Sequence, residues 1–135
     1  MKLYSYWRSS TSYRLRIALR LKGISFETVP VDLLAGAQID ENYLSLNPSG
    51  AVPSLVLGDG AGLTQSMAML EYLEAAYPTP SMIPSDPLEA TMVRAAANII
   101  ACDIHPVNNL KIISALKRLG HTQDEMVTWM NDWML

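Results

Sequence analysis

Residues 1–31 constrain the fold most, because they read as strand, helix and strand in quick succession. Lys2 to Tyr6 is a short strand-like run with Leu3, Tyr4 and Tyr6. Ser9-Ser10-Thr11-Ser12 follows, a run of hydroxyls suited to capping a helix. Tyr13, Ile17 and Leu21 then recur at four-residue spacing with Ala18 beside them, which predicts the buried stripe of a helix. Gly23 is placed to end it. Phe26 to Val31 favours extended structure and predicts a second strand. A unit of this length suggests a right-handed crossover between parallel strands.

The chain after it alternates in the same manner. A helical turn is expected around Glu41 to Leu46, a loop at Asn47-Pro48-Ser49-Gly50, a third strand at Ser54 to Leu57 and a very short fourth around Leu63. Ser66 to Ala76 reads as a helix, giving the order βαβα then ββα. Three prolines in the nine residues from Tyr77 to Ser85 cannot continue that helix and read as a linker. Asp86-Pro87-Leu88-Glu89 has the residues of a helix start, and the helix is expected to run to about Leu119 with a break before Pro106. Thr122-Gln123-Asp124-Glu125 is a capping box. The helix it opens carries Met126, Trp129, Met130, Trp133 and Met134 at helical spacing, a stripe expected to find no partner within the chain.

Composition narrows the classes of function. Half of the 135 residues are hydrophobic and the net charge is −3, which argues against disorder and gives no electrostatic footprint for nucleic acid. No apolar run reaches the roughly 18 residues of a membrane span, and the N-terminus lacks a signal-peptide pattern. A single cysteine, Cys102, leaves no internal disulfide or CxxC pair, and it reads as a buried helix residue. These features predict a cytoplasmic globular protein with neither membrane nor nucleic acid as a partner. No zinc spacing, nucleophile elbow, phosphate loop or dinucleotide fingerprint is present, and no metal is expected.

Four places could carry chemistry. Ser9, Ser10, Thr11 and Ser12 precede a helix, where free N–H groups and the helix dipole favour an anion; read alone, they also suit simple capping. Val52-Pro53 lies between a loop and a strand. About 5% of such bonds are cis, so the bare residues favour trans, while the setting suggests an exposed Val52 backbone able to pair with an extended peptide. Gln65-Ser66 opens a helix and suits either a cap or a carboxylate and its ammonium. His105-Pro106 sits at the expected helix break, where a lone histidine is commonly structural; His121 reads as solvated. Arg14 and Arg16 read as surface or interdomain ion pairs.

Taken together, these pieces resemble a known family. Tyr4-Ser5-Tyr6-Trp7-Arg8-Ser9-Ser10-Thr11-Ser12-Tyr13-Arg14-Leu15-Arg16-Ile17-Ala18-Leu19 resembles the N-terminal signature of zeta-class glutathione S-transferases, which include maleylacetoacetate and maleylpyruvate isomerases. Leu21-Lys22-Gly23-Ile24, Asn47-Pro48, Val52-Pro53, Gln65-Ser66 with Glu71-Tyr72-Leu73, and Asp103-Ile104-His105-Pro106 with Asn108-Asn109-Leu110 extend the match along the chain. The resemblance implies an α/β thioredoxin-like N-terminal domain (βαβαββα) over residues 1–78, a linker at 79–85, and part of an all-α glutathione-transferase C-terminal domain over 86–135. The family's helical domain continues past the position matching Leu135.

The resemblance also implies roles. Ser9 would hydrogen-bond and activate the thiol of glutathione, the expected cofactor, with Ser10 in support and Thr11 beside it. Val52 would pair its backbone with the cysteinyl group, with Pro53 cis, and Gln65 and Ser66 would hold the γ-glutamyl end. His105 and Asn109 match positions lining the glutathione site. Arg8 and Lys111 are nominated for the carboxylates of a small acid substrate. Thr11 stands where many members have Cys, so a mixed disulfide there is excluded. The implied activity is glutathione-dependent cis–trans isomerisation or glutathione transfer by a homodimer. The competing expectation is a non-catalytic glutathione-binding or protein-interaction module. A glutaredoxin-like redox role is disfavoured, since no cysteine lies near the first helix start.

Overall fold

The computed structural model describes residues 1–134, apart from the side chain of Met134. Strands β1 (Lys2–Ser5) and β2 (Glu27–Pro30) pair in parallel, Leu3 opposite Thr28 and Ser5 opposite Pro30. Helix α1 (Ser10–Leu21) connects them. Helix α2 (Glu41–Leu46) precedes β3 (Ser54–Val56), which runs antiparallel to β1 with Leu3 opposite Leu55. The two-residue β4 (Gly62–Leu63) completes a sheet of order β2-β1-β3-β4, and α3 (Ser66–Ala76) follows. The expected βαβαββα order and thioredoxin-like architecture are therefore found.

Alternation along β1 separates two cores. Leu3 and Leu55 face α1 and α3, where they are buried with Leu15, Ala18, Leu19, Met69 and Leu73. Tyr4 faces the other way, its ring 5.9 Å from that of Tyr43 on α2. Tyr43 is buried there with Tyr6, Val31 and Val52. Each buried leucine side chain contributes about 1.5–3 kcal/mol of transfer free energy.

Helix α1 corrects one expectation. Tyr13, Ile17 and Leu21 are exposed, at 58%, 41% and 61%, while Ser12, Leu15, Ala18 and Leu19 are buried. Two residues turn a helix by about 200°. Leu15 and Leu19 therefore lie opposite Tyr13 and Ile17, and the sheet takes the aliphatic face. Gly23 ends the helix as expected, at φ +67°. Its N–H donates to Arg20 O and that of Ile24 to Leu19 O, the paired bonds of a Schellman motif.

Helices α1 and α3 run parallel, since they meet at both ends. Arg14 reaches the Met67 sulfur at 3.4 Å near their N-termini, and Lys22 meets Glu74 at 2.8 Å near their C-termini. The Lys22 side chain is fully buried, and its ammonium also donates to Tyr77 O at 2.6 Å and Pro80 O at 2.9 Å. Glu74 in turn accepts from the Ser81 hydroxyl and the Met82 N–H. These bonds hold the chain after α3 against the sheet unit, and the compact unit extends over Met1–Met82.

The second compact unit, Ile83–Leu135, is helical where described. Asp86 caps α4 (Pro87–Asn98), accepting from Leu88 and Glu89 N–H groups, with Pro87 in the first turn. The expected break is present and long. A π-type stretch covers Ile99–Ile104, a 3-10 turn His105–Val107, and α5 (Leu110–Arg118) starts after Asn109. Cys102 is exposed, not buried, because the π-type stretch abandons the 3.6-residue period on which the burial reading rests. The capping box forms as read: Thr122 N–H donates to Glu125 at 2.8 Å, and Glu125 N–H to the Thr122 hydroxyl at 3.3 Å, at the start of α6 (Gln123–Met134). The stripe on α6 finds a partner within its unit only at its first turns, since Trp133 stays 51% exposed. Met126 is 5% exposed, and Trp129 donates to Val107 O at 2.8 Å while its ring lies 5.7 Å from Trp133. The Met134 side chain lies outside the described residues.

Candidate functional site

The chain leaves β1 through Tyr6-Trp7-Arg8 and is held there by Arg16. The Arg16 guanidinium donates to Ser5 Oγ at 2.7 Å, Tyr6 O at 3.3 Å and Trp7 O at 3.1 Å. It thus stabilises a backbone turn, and among the described residues it forms none of the ion pairs expected of it. The Arg14 guanidinium reaches the Met67 sulfur and so ties α1 to α3. Ser9 comes next, in extended conformation at the N-cap of α1, and its Oγ accepts the Ser12 N–H at 3.1 Å. The capping role read from the sequence is therefore present, and it does not exhaust the hydroxyl.

Ser9 Oγ lies 2.8 Å from Thr11 Oγ1, and Thr11 Oγ1 donates to Val52 O at 2.9 Å. Two hydroxyls at a helix N-terminus and one peptide carbonyl thus form a continuous cluster. Val52 is buried as a residue, at 9% exposure, and its carbonyl accepts from Thr11. The Val52–Pro53 bond is cis. The loop before it is tightly braced. Ala51 O accepts from the Tyr43 hydroxyl at 2.6 Å and from Asn47 Nδ2 at 2.7 Å, and both side chains also bond Ser54 Oγ. Burial pushes the Tyr43 phenol above its usual pKa against the opposing hydrogen bonds of Ser54 and Asn47, so it remains a donor.

Gln65 and Ser66 stand at the start of α3. Because α1 and α3 run parallel, this helix start lies at the same end of the sheet unit as Ser9 and Ser10. Gln65 holds φ +66°, and among the described residues it is the one non-glycine at positive φ. Such a backbone costs on the order of 1–3 kcal/mol, and this kind of strain concentrates at functional positions. Arg8 is exposed, its guanidinium 5.7 Å from the Trp7 ring centre, and it lines a cavity of about 600 Å³ with Ser5, Trp7, Arg16 and Asp32.

The remaining expected residues belong to the second unit. His105 lies in the 3-10 turn and Lys111 in the first turn of α5. Asn109 is the cap of α5: Oδ1 accepts from Lys111 and Ile112 N–H groups, and Nδ2 donates to Pro106 O at 2.8 Å. His121 is exposed, 3.4 Å from Glu125. Among the described residues no group of three or more His, Cys, Asp or Glu is placed to hold a metal ion.

One further polar side chain stands without an account from the sequence. Gln38 Oε1 is buried without a hydrogen-bond partner, in a 3-10 turn whose Gln38 carbonyl would lie 3.3 Å from a Cβ added to Gly50. An unpartnered buried acceptor calls for an explanation. One polar residue in a loop of mixed composition gives no sequence signal of it.

Residues 1–75 match the family model of the glutathione S-transferase N-terminal domain. The maleylacetoacetate isomerase of Pseudomonas aeruginosa is 43% identical over 136 residues, which cover 99% of this chain and 64% of that protein. Among solved structures, a holo maleylpyruvate isomerase, described as a bacterial glutathione S-transferase of the zeta class, superposes with a TM-score of 0.94 at 43% identity. It is covered to 63%, against 98% of this chain. The maleylacetoacetate isomerase of Methylobacterium extorquens, solved with malonate and glutathione bound, also gives 0.94, at 40% identity and with 98% and 62% of the two chains covered. The chain thus spans just under two thirds of the length of these relatives.

Proposed function

The chain belongs to the glutathione S-transferase family, and on that footing we propose that it binds glutathione and serves cis–trans isomerisation of a small unsaturated acid, in keeping with its similarity to proteins named maleylacetoacetate and maleylpyruvate isomerase. The observation that carries this reading is the Ser9–Thr11–Val52 cluster, where hydroxyls at a helix N-terminus touch the carbonyl before a cis-proline. Its donor set suits a tripeptide thiol. Ser9 offers a hydroxyl to sulfur, Val52 a backbone to a peptide, and the start of α3 amide and hydroxyl donors to a carboxylate.

Glutathione, when bound there, would supply a thiol nucleophile for reversible addition to the cis double bond of the acid. The protein's own part is to lower the free energy of the thiolate form and to orient the acid. Ser9 donates a hydrogen bond toward the sulfur, and the N-terminus of α1, with Ser10 and Thr11, adds favourable potential, so the thiol proton leaves to solvent more readily. Val52, beside Pro53, pairs with the peptide, and Gln65 and Ser66 hold its γ-glutamyl end. Arg8 meets a carboxylate of the acid at the cavity it lines. The roles that the resemblance gives to His105, Asn109 and Lys111 are kept in the proposal. So are the homodimer, the cytoplasmic setting, and the division into a glutathione-binding domain at 1–78, a linker at 79–85 and helical residues 86–135. Among the described residues no helix is long and apolar enough to cross a membrane.

Isomerisation of maleylacetone, followed with and without glutathione, tests the reading. Turnover is expected only with glutathione, and Ser9→Ala is expected to lower it on the order of 100-fold, the usual effect of removing one donor to a developing anion. Glutathione binding without turnover in the wild type would sink the catalytic half of the proposal.

A further inference from the structure

Thr11 links two groups that the proposed function uses separately. A hydroxyl has one proton to give. Thr11 gives its proton to Val52 O at 2.9 Å, so in the 2.8 Å contact Ser9 is the donor and Thr11 the acceptor. Ser9 Oγ also accepts the Ser12 N–H. The Ser9 proton is therefore turned inward, where it cannot stabilise an anion. Two bonds of the cluster must change before Ser9 can serve a thiolate, and Thr11 takes part in both.

We propose that Thr11 is a positioning residue that works as a reversible hydroxyl relay, coupling peptide pairing at Val52 to the direction of the Ser9 proton. The inference rests on the glutathione reading. A ligand N–H that takes the Val52 carbonyl competes with Thr11 for that acceptor. The Thr11 proton then turns to Ser9 Oγ, and the Ser9 proton turns outward to the sulfur. Both oxygens keep their own protons and no covalent bond changes; only the two C–O torsions rotate. Hydrogen bonds in such a chain polarise one another, so the outward donor is strengthened by the one behind it. The β-branched side chain of Thr11 has few χ1 rotamers, which holds its oxygen between the two partners. The relay discriminates among thiols: one that presents a peptide N–H to Val52 is activated, and one of equal size without it is not.

The test compares glutathione with an analogue in which the cysteinyl N–H is replaced by an ester oxygen. Thiolate absorbance of each bound ligand is titrated against pH, beside the same ligand free in buffer. In the wild type, binding is expected to lower the thiol pKa of glutathione about one pH unit more than that of the ester, roughly tenfold in acid constant. Thr11→Ser keeps this difference. Thr11→Val, and Thr11→Ala as a second variant, abolish it, with circular dichroism confirming their fold. An equal difference in the valine or alanine variant overturns the relay, because direct loss of the Val52 bond then explains it. Equal thiol pKa values for the two ligands in the wild type overturn the relay and leave the glutathione reading standing. Failure of the wild type to bind glutathione overturns both.

Discussion

The Glu74 carboxylate accepts from the Lys22 ammonium at 2.8 Å, the Ser81 hydroxyl at 2.6 Å and the Met82 N–H at 3.1 Å. Partial burial alone would raise its pKa, but these three donors outweigh it and hold the group at about 2, below the ordinary 4.5. A folded-state pKa below the unfolded one contributes stability that is complete above pH 4.5 and is lost as the pH falls toward 2. The urea midpoint of the wild type is therefore expected to fall through this window. Glu74→Gln should be less stable at neutral pH and should lose less on acidification. Parallel acid limbs for the two proteins would contradict the assignment. At the same scale Ser9 shows what a one-residue reading misses. Its capping role was legible locally, but its bond to Thr11, and through it to a carbonyl 41 residues from Thr11, is set by tertiary structure.

Caps and termini were the most legible elements, because their chemistry is local. Asp86, Gly23 and the Thr122–Glu125 box act within four residues of their own positions. Helix faces were less legible. Helix α1 is apolar on two sides, and sequence period alone does not say which side meets the sheet. Leu15 is fully buried and Ile17 is 41% exposed. Leu15→Ala is accordingly expected to cost about 2–5 kcal/mol of folding free energy and Ile17→Ala under about 1 kcal/mol, read from urea unfolding of each. Comparable losses would return Ile17 to the core. The π-type stretch at Ile99–Ile104 was illegible for another reason: it holds no glycine or proline to mark the change of period, and the exposure of Cys102 follows from it. The partners of Arg16 are illegible for a third reason: they are carbonyls where β1 ends, nine or ten residues earlier in the chain, brought to it by the fold.

For the whole molecule, the family resemblance carried the reading of the site, and the fold supplies a reason for it. A parallel β1–β2 pair with α1 and α3 parallel on one face puts two helix N-termini at one end of the sheet, beside the loop that ends in Val52–Pro53. The part with no sequence signal is the bracing that keeps this end rigid, Arg16 on one side and Tyr43 with Asn47 on the other. Opposite it, the buried Lys22 ammonium draws on carbonyls at Tyr77 and Pro80, beyond the 75 residues that match the N-terminal domain model. The fold's own frontier is thus later than the one defined by similarity. A fragment cut after Ala76 would strand a buried cation with two of its three acceptors gone, a loss of about 1–3 kcal/mol for each group left unsatisfied. One cut after Met82 would keep them. The shorter piece is expected to melt several degrees below the longer one, and equal melting temperatures would show that these six residues are dispensable. Anyone dissecting the protein should therefore place the scissors by the reach of the lysine, past the first two of the three prolines that look like a hinge.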